Sequence, residues 1–243
     1  NNKLKNNLDS SPYSITVLSN IVVHQIREIL EYLLRSEGIN AIIELGDYDN
    51  IVQDSPKYKN SNAIIMFWEL SNIISGLQYK IELLNNERLD EILEKTKTEI
   101  NLVVKNLKNT PLILINKFTS LQFSSSNITA NNLDVLADEL NQYLEANVPS
   151  NARLIDLNRI IASIGISNCL DWRYYYSSKA LYTVEFFKAY GEYVRPFILS
   201  ATGKAKKALI FDCDDTLWKG ILGEDGFDNI EMSTTTKDGT IFA

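Results

Sequence analysis

Short apolar runs alternating with stretches of helical spacing constrain this chain more than any other feature. Residues 15–18, 41–45, 63–68, 111–116 and 152–157 have the length and residue types of buried strands. Between them, apolar side chains recur every three or four positions: Ile26, Ile29, Leu30, Leu33 and Leu34 before Gly38, then Leu89, Ile92, Leu93, Ile100, Val103, Val104 and Leu107, then Leu133, Leu136, Leu140 and Leu144. Parallel strands need crossover connections, and a helix after each strand supplies one. The expectation is an α/β, three-layer sandwich with a mainly parallel sheet over residues 12–176. Residues 177–198 read as a further helix, N-capped by Ser177 or Ser178, with Leu181, Val184, Phe187 and Tyr190 or Val194 inward and Pro196 kinking or ending it. A small basic linker leads to a second strand-led unit, so the boundaries fall at 177–203 and 204–243. Residues 1–11 read as a fraying leader and 124–127 as an exposed loop.

A net charge of −7 and a pI near 4.9 argue against a general nucleic-acid or anionic-membrane surface. No apolar run approaches the ~20 residues of a membrane span, and the polar start lacks the apolar core of a secretory signal. Cys169 and Cys213 make neither a disulfide framework nor a zinc cluster. The cytoplasm is the expected compartment.

The chemistry concentrates in residues 207–226. An apolar run, 208–211, reads as a buried parallel strand; Asp212 and Asp214 follow at i and i+2, then Thr216 and a glycine-rich turn. If the chain bends after Asp212, both carboxylates meet one crevice at the carboxyl end of a strand, where open α/β sheets bind ligands. Paired carboxylates there suit a hard divalent cation and a phosphoryl group.

This stretch, D-x-D-x-T-L-W followed by G-I-L-G-E-D-G, resembles the first motif of the haloacid dehalogenase (HAD) superfamily, and within it the FkbH-like branch of subfamily IIIC. The resemblance implies that Asp212 attacks phosphorus and that Asp214 protonates the leaving group and then activates water. It further implies that Thr216 fixes the turn and that Mg2+ binds the Asp212 carboxylate and the Asp214 backbone carbonyl. It also implies transfer of a glyceryl-type acyl unit from a phosphorylated three-carbon donor to an acyl carrier protein. Two positions depart from the branch pattern, Asp215 for Asn and Lys219 for Gly. A HAD-type core needs several strands, so residues 204–243 are expected to be its incomplete beginning. Cys213, between the carboxylates, is either an acyl-accepting thiolate or a small buried hydrophobe.

The first domain carries a fainter resemblance, to SGNH hydrolases, which share a flavodoxin-like sandwich. Ser19-Asn20 stands at the nucleophile block, Gly46 at the second, residues 69–72 at the third, and Asp171-Trp-Arg-Tyr174 at the block that holds the base, with Tyr174 where a histidine belongs. His24, the chain's one histidine, is expected on a helix surface or satisfied in the core. Without an imidazole Ser19 has no evident base, so a binding or docking domain is the expectation and an esterase the lesser alternative. Three readings stay open for the aromatic stretch 168–176. It packs the last helix onto the sheet, it lines a pocket where Arg173 binds an anion, or it docks a carrier protein whose acidic helices meet Arg173 and Lys179.

Overall fold

A computed structural model describes residues 11–120, 131–206, 208 and 210–242, which leaves residues 1–10 of the expected leader and the 124–127 loop outside the described residues. The chain divides into two compact units, Asn1–Gly203 and Lys204–Ala243.

In the first unit five parallel strands form one sheet: β1 Tyr13–Ser19, β2 Ala41–Leu45, β3 Ala63–Phe67, β4 Leu112–Asn116 and β5 Ala152–Ile155, in the order β2-β1-β3-β4-β5. Every residue of β3 and β4 is buried, because these strands have neighbours on both sides and helices over both faces. The period of two sorts their side chains. Ile15, Val17, Ile65 and Leu114 face a cluster with α1 (Gln25–Ser36) and α9 (Val184–Ala201). Leu18, Ile64, Met66, Ile113 and Ile115 face a second cluster with α4 (Asn86–Asn106) and α5 (Asn132–Asn147). Shorter helices complete the unit: α2 Ile51–Asp54, α3 Leu77–Lys80, α6 Leu157–Ile164, α7 Ile166–Cys169 and α8 Trp172–Ser178.

Side-chain caps set the helix starts. Asn131 accepts from the Asp134 amide at 2.9 Å and Asp134 accepts from that of Asn131, a reciprocal box at α5. Asp156 caps α6, which therefore begins at Leu157, where the strand pattern was expected to run on. The expected helix over 177–198 is in fact two. Lys179 adopts φ 61° and closes α8, residues 180–182 cross to Leu170 and Asp171, and α9 starts afresh with Thr183 as its cap. Pro196 does not end α9, which runs on to Ala201. It removes one backbone donor, but Val194 and Ile198 on either side are fully buried, and that packing holds the helix through it.

The second unit carries two short helices, α10 Leu222–Asp225 and α11 Gly239–Phe242, and isolated bridges Asp214–Trp218 and Lys219–Glu231. The strand expected over 208–211 is not formed among the described residues, and Ile210 is 97% exposed. A buried parallel strand exists only by pairing with neighbours, and the described part of this unit contains no other strand to pair with it.

Candidate functional site

Strand order reverses between β1 and β3, and the carboxyl ends of these two strands are where an open α/β sheet presents its crevice. Ser19 ends β1 and Asn20 follows. Asn20, almost fully buried, closes a two-point clamp on the chain leaving β3: its Nδ2 donates to the Glu69 carbonyl at 2.9 Å and its Oδ1 accepts from the Glu69 amide at 2.7 Å. Asn72 Nδ2 donates to the Asn20 carbonyl and to Tyr48 Oη, the latter at 3.2 Å. Gly46 brings the end of β2 close, since a Cβ there would lie 2.8 Å from both Asp54 Oδ2 and Leu18 Cδ2. Asp54 in turn accepts from the Asp47 amide and the Asn50 side chain. Beside this network lies a polar cavity of about 170 Å³ lined by Asn20, Asp49, Trp68, Asn72, Lys95 and Glu99 among others. Burial pushes the Asp49 carboxyl up, against the opposing pull of Lys179 and Lys95.

The clamped residue, Glu69, stands at the start of the third block expected from sequence, and its carboxyl group is buried, which the sequence pattern did not indicate. Glu69 is 3% exposed, accepts from Tyr182 Oη at 2.6 Å, and has its pKa raised to about 7 by burial, with the tyrosine bond pulling the other way. Tyr182 stacks on Phe186 with ring centres 3.8 Å apart, and Phe67 packs on Tyr190 at 4.8 Å. Tyr190 donates to Asn116 Oδ1 at 2.8 Å, and burial holds its phenol well above the usual range. The available signal was an acid directly after an uninterrupted apolar strand.

The hydrolase constellation is not assembled. Ser19 Oγ is nearly buried and donates to the Ile21 carbonyl at 2.7 Å. His24 is exposed at the start of α1, as a helix-surface residue would be. Asp171 spends its carboxylate as the cap of α8, accepting from the Tyr174 amide at 3.0 Å. Tyr174 is 59% exposed, and Arg173 is also exposed and does not line the cavity.

In the second unit the two carboxylates hold a loop. Asp212 Oδ1 accepts from the Cys213 amide at 2.8 Å. Asp214 Oδ1 accepts from Trp218 Nε1 and from the Leu222 amide, both at 3.1 Å. Asp215 takes φ 50° and accepts from the Gly220 amide at 2.8 Å. Asn and Asp are the non-glycine residues that best tolerate that conformation, so the departure from Asn is conservative. The exposed Thr216 joins the turn through its amide, which reaches the Cys213 carbonyl at 3.3 Å. Cys213 is a free, exposed thiol, which overturns the reading of it as a small buried hydrophobe, while Cys169 is the buried one. For the implied Mg2+ the donor set falls short. Among the described residues no three His, Cys, Asp or Glu side chains are gathered to hold a metal, and one oxygen of the Asp212 carboxylate already accepts from the Cys213 amide.

No family model matches the sequence, and no curated protein matches it. Among solved structures, the N-terminal part of a Bacteroides fragilis protein containing a phosphatase domain, complexed with Mg, superposes with a TM-score of 0.69 at 17% identity. That match covers 99% of this chain and 67% of the other, so this chain spans about two thirds of its length. A lipase from a goat rumen metagenome superposes with a TM-score of 0.52 at 10% identity, over 79% of this chain and 98% of the lipase. At such identities the likeness is one of fold, an α/β unit built on a parallel sheet flanked by helices.

Proposed function

We propose that this chain joins a hydrolase-type α/β unit that binds without hydrolysing to the leading segment of an FkbH-like phosphotransferase. The state of Ser19 carries the first half. Its hydroxyl is committed to the Ile21 carbonyl, and the position where a base belongs holds an exposed tyrosine. Among the described residues the Ser19 hydroxyl is bonded to no base that would take its proton, so in this reading the crevice is left with recognition. A serine-reactive fluorophosphonate that labels Ser19 would return the esterase reading.

The second half rests on the motif from Asp212 to Gly226. In this reading the Asp212 carboxylate attacks phosphorus and the P–O bond to the leaving group breaks. Asp214 gives that oxygen a proton, then takes one from the water that hydrolyses the aspartyl-phosphate. The substrate is a phosphorylated three-carbon acid and the acyl acceptor is the thiol of an acyl carrier protein. For that transfer the carboxyl has to arrive as an acyl phosphate, separate from the phosphate ester that Asp212 removes. In this reading the Cys213 thiolate attacks the carbonyl carbon, the C–O bond to phosphate breaks and phosphate leaves, and the carrier thiolate then displaces Cys213 from the thioester. Magnesium belongs to the same reading, but the carboxylates of this chain do not by themselves make its site, and no step is assigned to it. Phosphoryl transfer depends on charge stabilisation from several groups, so Asp212 and Asp214 alone supply little rate. The test is phosphate release from phosphorylated three-carbon acids, with Mg2+ added, by the protein that carries this chain. Asp212→Asn is expected to cut it by roughly a thousandfold or more, and unchanged release in that variant sinks the reading.

A further inference from the structure

We propose that the outward face of α8, formed by Trp172, Arg173, Tyr174 and Tyr176, docks an acidic helix of a partner protein, namely the carrier domain of the reaction proposed above. The inference rests on that reading for the identity of the partner and on the structure for the place.

Packing was the simplest account of three consecutive tyrosines, and it holds for one of them. Tyr175 is fully buried, whereas Trp172, Tyr174 and Tyr176 are 38%, 59% and 61% exposed. Three large aromatic rings presented to solvent by a seven-residue helix are a concentration that folding alone does not call for. Trp, Tyr and Arg are the residue types that dominate interface hot spots: the rings bury a large area at modest entropic cost, and the guanidinium adds a planar fork of donors. Here Arg173 stands among the rings.

Charge selects the partner. Within α8 there is one cation and no acid, and Lys179 follows directly, in a chain whose net charge is −7. Asp171, at the head of the helix, turns its carboxylate to the Tyr174 amide. Lys179 reaches over the Tyr175 ring, with its nitrogen 4.9 Å from the centroid, and is drawn toward Asp49, so Arg173 carries most of the attraction. An acidic helix is repelled by the chain as a whole and is steered to this face. The net charge of −7 turns away an extended polyanion such as nucleic acid, which needs a broad basic surface.

The test titrates an acyl carrier protein into the chain calorimetrically at low and high salt. Arg173→Glu, and separately Tyr174→Ala with Tyr176→Ala, are each expected to weaken binding about tenfold or more. Arg173→Lys should lose only a fewfold. Circular dichroism confirms that each variant is folded. Asp212→Asn is expected to bind normally, which separates docking from chemistry. Lys105→Glu on α4, which packs on the other face of the sheet from Tyr175, is the control that should leave binding unchanged. Carrier binding that ignores the α8 substitutions overturns this inference and leaves the carrier reading standing. No binding to the unmodified chain overturns both. A dimer of this chain that Arg173→Glu dissociates in sedimentation also overturns it, by assigning the face to a second copy.

Discussion

Tyr182 donates its phenolic proton to Glu69 Oε1 at 2.6 Å and thereby ties the segment between α8 and α9 to the carboxyl end of β3. The acceptor is a carboxyl group buried among aromatic rings, at the switch point where the sheet would present a ligand. Burial disfavours its charge more than the single tyrosine bond restores. Titration of Glu69 is therefore coupled to the integrity of this end of the sheet.

Stability should fall as pH rises toward neutrality. The folded-state pKa of Glu69 is about 7 against 4.5 for an ordinary glutamate, so the folded state holds its proton more tightly than the unfolded chain does. Its contribution is complete below pH ~4.5 and is lost as pH rises to ~7, by about 3 kcal/mol in all. Urea unfolding at pH 5 and pH 8 checks this. Glu69→Gln, which keeps an acceptor without a charge, is expected to remove most of the difference, and an unchanged pH dependence refutes the assignment.

Asn20→Ala should destabilise the first unit by roughly 2–4 kcal/mol, because it takes the Asn20 acceptor from the buried Glu69 amide and leaves the Glu69 carbonyl with the Asn72 amide but without the Asn20 donor. The midpoint of thermal unfolding is the readout. Ser19→Ala next to it should cost only about 1 kcal/mol, the value of one hydroxyl-to-carbonyl bond. The reverse order would show that the serine, not the asparagine, organises this end of β1.

At Gly46 the penalty is steric. Gly46→Ala places a methyl group 2.8 Å from Asp54 Oδ2 and from Leu18 Cδ2, both inside a packed region. A loss of about 1–3 kcal/mol is expected, with slackening of the Asp54 bonds to Asp47 and Asn50. A neutral substitution would mean that the β2 end moves freely.

In the second unit, Asp214 is the post on which the loop turns. Asp214→Ala removes the acceptor of both the Trp218 indole and the Leu222 amide. The expected outcome is a red shift and altered quenching of Trp218 fluorescence, read in a background with Trp68 and Trp172 replaced by Phe. The first unit should keep its unfolding midpoint within about 0.5 kcal/mol. Unaltered Trp218 emission would show that the bond does not shape the loop.

The alternation of apolar runs with helical spacing, together with the cap residues Asn131 and Asp156, encodes the sheet and the helices over it, because period, length and capping act over a few neighbouring residues. The D-x-D loop is legible for the same reason. Its turn geometry is local, and Asp215 accepts the left-handed conformation by its own chemistry. The tertiary structure decided the rest. Asn20 meets Glu69 only when β3 lies beside β1, and Tyr182 meets Glu69 only after the chain has crossed the sheet and returned, at a sequence separation of 113 residues. Which ring of α8 turns inward depends on the core it meets, and Tyr175 alone of the four aromatic residues there is fully buried. The strand expected over 208–211 shows the converse. Its local pattern is sound, but a parallel strand is stabilised by pairing bonds that only a neighbouring strand provides.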